Sequence, residues 1–151
     1  MNTFDPDSFL NQTINSELAT RMAVCPEGEY PACITKVDMR SFTYKKEDRA
    51  GQTGYSLDVT WEITDENLKA SLGRAPLVRQ SMLLDLSESG GLLTGEGKNV
   101  SLGRLREAIG QNKPGAAWSP RHMEGASAIV LVSHKLIGDD VMAEVKKVAP
   151  L

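Results

Sequence analysis

From Tyr55 to Ile63 the chain alternates without a break. Tyr55, Leu57, Val59, Trp61 and Ile63 are apolar, and Ser56, Asp58, Thr60 and Glu62 are polar. A period of two sustained over such a stretch predicts a strand with one buried face, on which Tyr55 and Trp61 belong to the core. Upstream, PEGEY is a turn that leads into another strand, where Tyr30, Ala32 and Ile34 carry the apolar phase. Val37 and Met39 then take it up out of step, so one residue is in excess and a β-bulge should bend the strand. Downstream, TDENLKASLG reads as a loop with at most one helical turn, ended by Gly73. LVRQSMLLDL gives a third strand with Val78, Gln80, Met82, Leu84 and Leu86 on one side.

The pattern changes after the glycine-rich loop SESGGLLTGEG. In NVSLGRLREAIGQN, Leu102, Leu105 and Ile109 have helical spacing, Asn99 or Ser101 can cap the start, and Gly110 can end the helix. A loop carrying Trp118 follows, and then two strands, ASAIVLVSH and VMAEVKKV, joined as a hairpin across IGDD. Residues 1–26 form a separate lead-in arm, where FDPDSFLN offers Asp and Ser caps and INSELATRM extends a short helix. The order of elements is lead-in, three strands, helix, two strands. It predicts a mainly β domain over 27–151, a five-stranded OB-fold-like barrel with the helix between strands three and four. Other small barrels and open α+β sheets are the alternatives.

Composition agrees with one globular domain: 151 residues, 40% apolar, 25% charged, formal charge −3. No apolar run approaches the roughly 18 residues that would span a bilayer, and MNTFDPDSFLNQT has no basic n-region of a signal peptide. These features predict a cytoplasmic protein with no membrane partner, in which Cys25 and Cys33 stay reduced.

Chemistry concentrates in RSFTYKKEDRAG, residues 40–51. From Lys36 to Arg49 there are five cations, Lys36, Arg40, Lys45, Lys46 and Arg49, against three acids, in a chain that is acidic overall. Phe42 and Tyr44 lie among them. Rings that stack on bases, beside cations that meet phosphates, are what a single-strand binder needs, and in an OB-fold this loop flanks the binding groove. Arg79, Trp118 and Arg121 are further candidates for that nucleic-acid site. The bland alternative is a solvated hairpin whose rings tuck onto the body, with Trp118 plugging one end. Asp58 and Glu62, on the polar side of the second strand, would repel phosphate. Arg104 and Arg106 read as a solvated helix face, and Lys146 and Lys147 as exposed edge residues.

Other chemistries find no support in the residues. GEGKN lacks the first glycine and the Ser/Thr of a phosphate loop. Cys25, Cys33, His122 and His134 have no zinc-motif spacing. No carboxylate pair stands in an apolar setting suited to general acid work. No catalytic residues, metal or cofactor are expected.

FDPDSF, PEGEYPACI, SLDVTWEI, LLDLSESGGL, NVSLGRLREAIGQN and AEVKKVAP together resemble a group of small bacteriophage proteins described as single-stranded DNA-binding proteins or as uncharacterised replication-region proteins. The resemblance spans nearly the whole chain, as a pattern of strands and turns. It implies an OB-fold, single-stranded DNA as ligand, a role in replication or recombination, and the host cytoplasm as location. Phage or host replication and recombination proteins would be partners, and a homo-oligomer is compatible with it. Many single-strand binders recruit partners through an acidic tail; this chain ends AEVKKVAPL, so recruitment would fall to another surface such as the lead-in. The rival expectation is a non-enzymatic structural or adaptor barrel that binds a protein, either a virion component or a replisome accessory.

Overall fold

The structure, a computed structural model, describes residues 3–46 and 48–151. Five strands dominate it: β1 (Gly28–Thr43), β2 (Thr53–Ile63), β3 (Leu77–Leu83), β4 (Ser127–Ile137) and β5 (Asp140–Ala149). Three α-helices accompany them: α1 (Pro6–Leu10), α2 (Glu66–Leu72) and α3 (Val100–Ala108). A 3-10 turn covers Pro120–Met123.

The sheet order is β1-β2-β3-β5-β4, and β4 pairs back onto β1. All pairings are antiparallel except β3 with β5, which meet in parallel at Arg79 and Glu144. β1 makes the return possible. Its register against β2 slips between Ile34 and Lys36, leaving Thr35 as the extra residue of the expected bulge. Before the bulge β1 serves both β2 and β4; beyond it only β2 remains paired. The Glu124 carboxylate accepts from the Val37 backbone N–H at 3.3 Å, satisfying a donor just past the bend.

The apolar phase of each strand points to one interior. Ile34, Val37, Leu57, Val59, Trp61, Ile63, Val78, Val130, Val132 and Val145 form the core with Leu102 and Leu105 of α3 and with Met123. Trp61 is fully buried and donates its indole N–H to the Gln80 amide oxygen at 2.9 Å, so its polar atom is satisfied. Tyr55, expected in the core, is 38% exposed, because it lies at the sheet's end where cover runs out. α3 ends as its glycine suggested: Gly110 is left-handed, its N–H reaches Glu107 O, and Gln111 N–H reaches Arg106 O.

Three local expectations give way. TDENLKASLG forms a seven-residue helix, α2, because Asp65 accepts from Leu68 N–H and Gly73 turns left-handed to stop it. INSELATRM takes no helix, and the arm has only α1, capped by Asp5 and stapled by Phe4 against Phe9 at 5.9 Å. Cys25 is already core, so the body begins just inside the lead-in. Cys25 and Cys33 are both free thiols, and burial, with the Asp65 charge, pushes the Cys25 thiol up. Among the described residues no helix is long and apolar enough to cross a membrane.

Candidate nucleic-acid interface

Residues directly opposite each other on neighbouring strands share a face, so the register fixes which side chains are neighbours. On the side of β1–β2–β3 away from the core, Lys36 stands beside Thr60 and Arg79, Asp38 beside Asp58 and Ser81, and Arg40 beside Ser56 and Leu83. Phe42 stands beside Gly54. Lys36, Arg40 and Phe42 of β1 therefore share one outer face with Arg79 of β3.

At its centre is Asp58, the one buried charged side chain among the described residues. Arg40 Nε donates to it at 3.1 Å and Ser56 Oγ at 3.0 Å. Burial alone would raise its pKa. The hydrogen bonds from Arg40, Ser81 and Ser56 and the Arg40 charge outweigh this, and Asp58 is held below the usual carboxylate range. Lys36 pairs with Asp38 at 3.1 Å on the exposed surface. With Glu62 also on this face, three acids balance its three cations. A recess of about 230 Å³ opens between Arg40, Phe42, Ser56, Ser81 and Leu83.

The net cation excess lies at the Phe42 end. Phe42 and Tyr44 are half-buried and pack edge to face, centroids 5.0 Å apart. They lie across Gly54, where a Cβ would stand 2.5 Å from Phe42 Cζ and 2.7 Å from Tyr44 Cε2. A side chain at position 54 would displace both rings, so glycine is what allows them to cover the strand. A glycine at the start of an alternating strand was the available sign of this close approach, and sequence reasoning missed it. Arg49 sits 5.2 Å over the Tyr44 ring and Arg40 6.0 Å from the Phe42 centroid. Lys45, Lys46 and Arg49 are exposed at the lip, and Tyr44 exchanges backbone hydrogen bonds with Gly51 and Gln52 to close the β1–β2 loop.

The two remaining candidates lie elsewhere. Trp118 is partly buried against the core, the Arg106 guanidinium lies 3.8 Å over its ring, and its N–H donates to Gln111 Oε1 at 2.8 Å. It packs beside α3 with Arg106 over its ring, apart from the outer face of β1–β2–β3. Arg121 is exposed and pairs with Glu124 at 3.5 Å. It lines an apolar groove of about 560 Å³ with Val37, Met39, Leu57 and Leu86, around the edge of β1 from the rings. Eight of the ten candidates thus cluster, and two do not. Among the described residues no group of His, Cys, Asp and Glu is arranged to hold a metal ion. No protein-family model and no curated protein matches this chain.

Proposed function

We propose that this protein binds single-stranded DNA, without catalysis, through the outer face of β1–β2–β3 and the loop at its end. The observation that carries the reading is the meeting of Lys36, Arg40, Phe42 and Arg79 on one face, with Tyr44, Lys45, Lys46 and Arg49 at its lip. The strand order, the bent first strand and a helix between β3 and β4 fit an OB-fold barrel, whose corresponding face takes oligonucleotides. Bases stack on Phe42 and Tyr44, and Lys45, Lys46 and Arg49 meet phosphates. The recess beside Phe42, with serine hydroxyls and a guanidinium, suits the polar edge of a base. The resemblance to phage single-strand binders supports a role in replication or recombination in the host cytoplasm, with proteins of those processes as partners.

The deciding measurement is fluorescence anisotropy with a labelled single-stranded oligonucleotide and its duplex, at low and near-physiological salt. Tight, salt-weakened binding of the single strand with little of the duplex is expected. In Lys45→Ala/Lys46→Ala the slope of log affinity against log salt should flatten by about 1.4, roughly 0.7 for each lost phosphate contact. Absence of binding at low salt overturns the reading. One observation favours an adaptor barrel instead: the ion pairs at Lys36 and Arg40 leave the sheet face neutral. That reading expects no oligonucleotide binding and a protein ligand on the same face.

A further inference from the structure

A second cationic site lies away from the proposed DNA face. α3 and β5 enclose a cleft of about 650 Å³. Arg104, Lys146 and Lys147 line it, with Glu107 as the one acid. Two adjacent strand residues ordinarily face opposite sides, yet both lysines reach this cleft. The cause is a second bulge: the β4–β5 register slips between Leu131 and Val132, and Lys146 is the extra residue. None of the three cations takes part in an ion pair among the described residues. Half-buried Val148 and exposed Pro150 give the cleft its accessible apolar surface, while Leu105 and Ala108, 1% and 8% exposed, belong to the core behind it. Such a site suits a segment that is both acidic and apolar.

The chain contains one. Residues 3–24 hold Asp5, Asp7 and Glu17 against Arg21, a balance of −2 that faces +2 in the cleft. Leu10, Ile14, Leu18 and Met22 recur every four residues, a helical stripe. All four are exposed, between 58% and 76%, as are Phe4 and Phe9. An arm with this much apolar surface in water lacks its partner. In its own copy the arm joins the body at Met22–Cys25, beside Leu77 and the beginning of β5 at Val141–Ala143, whereas the cleft is at the end of β5.

We infer that the arm of one copy docks in the α3–β5 cleft of a second copy, its apolar stripe on Val148 and Pro150 and its acids against Arg104, Lys146 and Lys147. The arm would gain helix on docking, as an amphipathic segment does when it finds a groove. Reciprocal exchange gives a closed dimer, and one-way exchange a longer assembly.

Complementation tests this without any oligonucleotide, so its outcome is separate from the DNA reading. Two full-length variants are made, Leu10→Asp/Ile14→Asp/Leu18→Asp in the arm and Lys146→Glu/Lys147→Glu in the cleft, each checked by thermal unfolding. By sedimentation velocity over a concentration series the unaltered chain should associate and each variant should be monomeric. Mixed, the arm variant supplies an intact cleft and the cleft variant an intact arm, so a 1:1 dimer should form. A monomeric unaltered chain, variants that still associate, or a mixture that stays monomeric would each overturn the inference. A separate anisotropy titration of the cleft variant reads the other occupant: association kept with oligonucleotide affinity lost would overturn the inference and assign the cleft to nucleic acid.

Discussion

Gly54 decides more at the residue scale than any of the cations around it. Its α-hydrogen faces two rings that a methyl group would strike, at 2.5 and 2.7 Å. Gly54→Ala should therefore push Phe42 and Tyr44 off the strand and cost about 1–3 kcal/mol, as overpacking does. Adding Phe42→Ala should recover much of the thermal stability, because the closest clash is with Phe42, while leaving oligonucleotide affinity low. A double-mutant cycle by melting and anisotropy reads both. Tyr44→Ala alone should weaken oligonucleotide binding by about 1–3 kcal/mol, one stacking contact, and an unchanged affinity would remove Tyr44 from the site. Rings and cations were legible in residues 40–51 because aromatic and basic side chains are conspicuous in an acidic chain. Their platform was not, since a glycine's role depends on what crosses it from the next strand.

Among the elements, the strands and α3 were legible, and the other segments between them were less so. Strict alternation fixes a strand's face, and the slip between Ile34 and Val37 disclosed the β1 bulge because apolar residues flank it on both sides. The β5 bulge falls at Lys146, where two adjacent lysines hide any change of phase. α2 was hidden in a polar stretch with only Leu68, Ala70 and Leu72 as apolar marks. The loop between β3 and α3, glycine-rich in sequence, is held at its base by Asn99. Asn99 Oδ1 accepts from Asp85 N–H at 2.8 Å, and Nδ2 donates to Asp85 O at 2.9 Å and Leu93 O at 2.8 Å. The Asn99 backbone N–H returns to the Asp85 carboxylate at 2.8 Å. Sequence offered Asn99 as a helix cap, but its side chain makes no cap bond and its φ is 50°. Asn99→Ala should cost about 4–5 kcal/mol, combining the lost side-chain hydrogen bonds, about 1 kcal/mol each, with left-handed strain of about 1–2 kcal/mol. Asn99→Gly should cost less, since glycine adopts that backbone freely. Chemical denaturation of the two variants separates the contributions, and equal losses would show that the backbone carries none of the effect.

For the molecule as a whole, a chain of charge −3 holds a balanced sheet face with a cationic lip, and this division places Asp58 at the point of decision. Asp58 occupies Arg40, and its charge lies where a strand of DNA would cross from the lip onto the sheet. Its depressed pKa sets the sign of its contribution to stability. That contribution is fully present above the carboxylate's ordinary value of 3.8 and is lost as pH falls through the lower folded value. Asp58→Asn should therefore reduce stability at neutral pH and flatten the acid limb of the unfolding curve. Its effect on binding should run the other way. An asparagine leaves Arg40 unneutralised and removes a repulsive charge, so single-strand affinity should rise and the salt slope should steepen by about 0.7, one added phosphate contact. A variant that loses stability while gaining affinity separates the two roles of this carboxylate, because a general loosening of the fold lowers both. Unchanged affinity and slope, with the stability loss present, would mean that the strand never reaches the sheet and that binding belongs to the Tyr44–Arg49 lip alone.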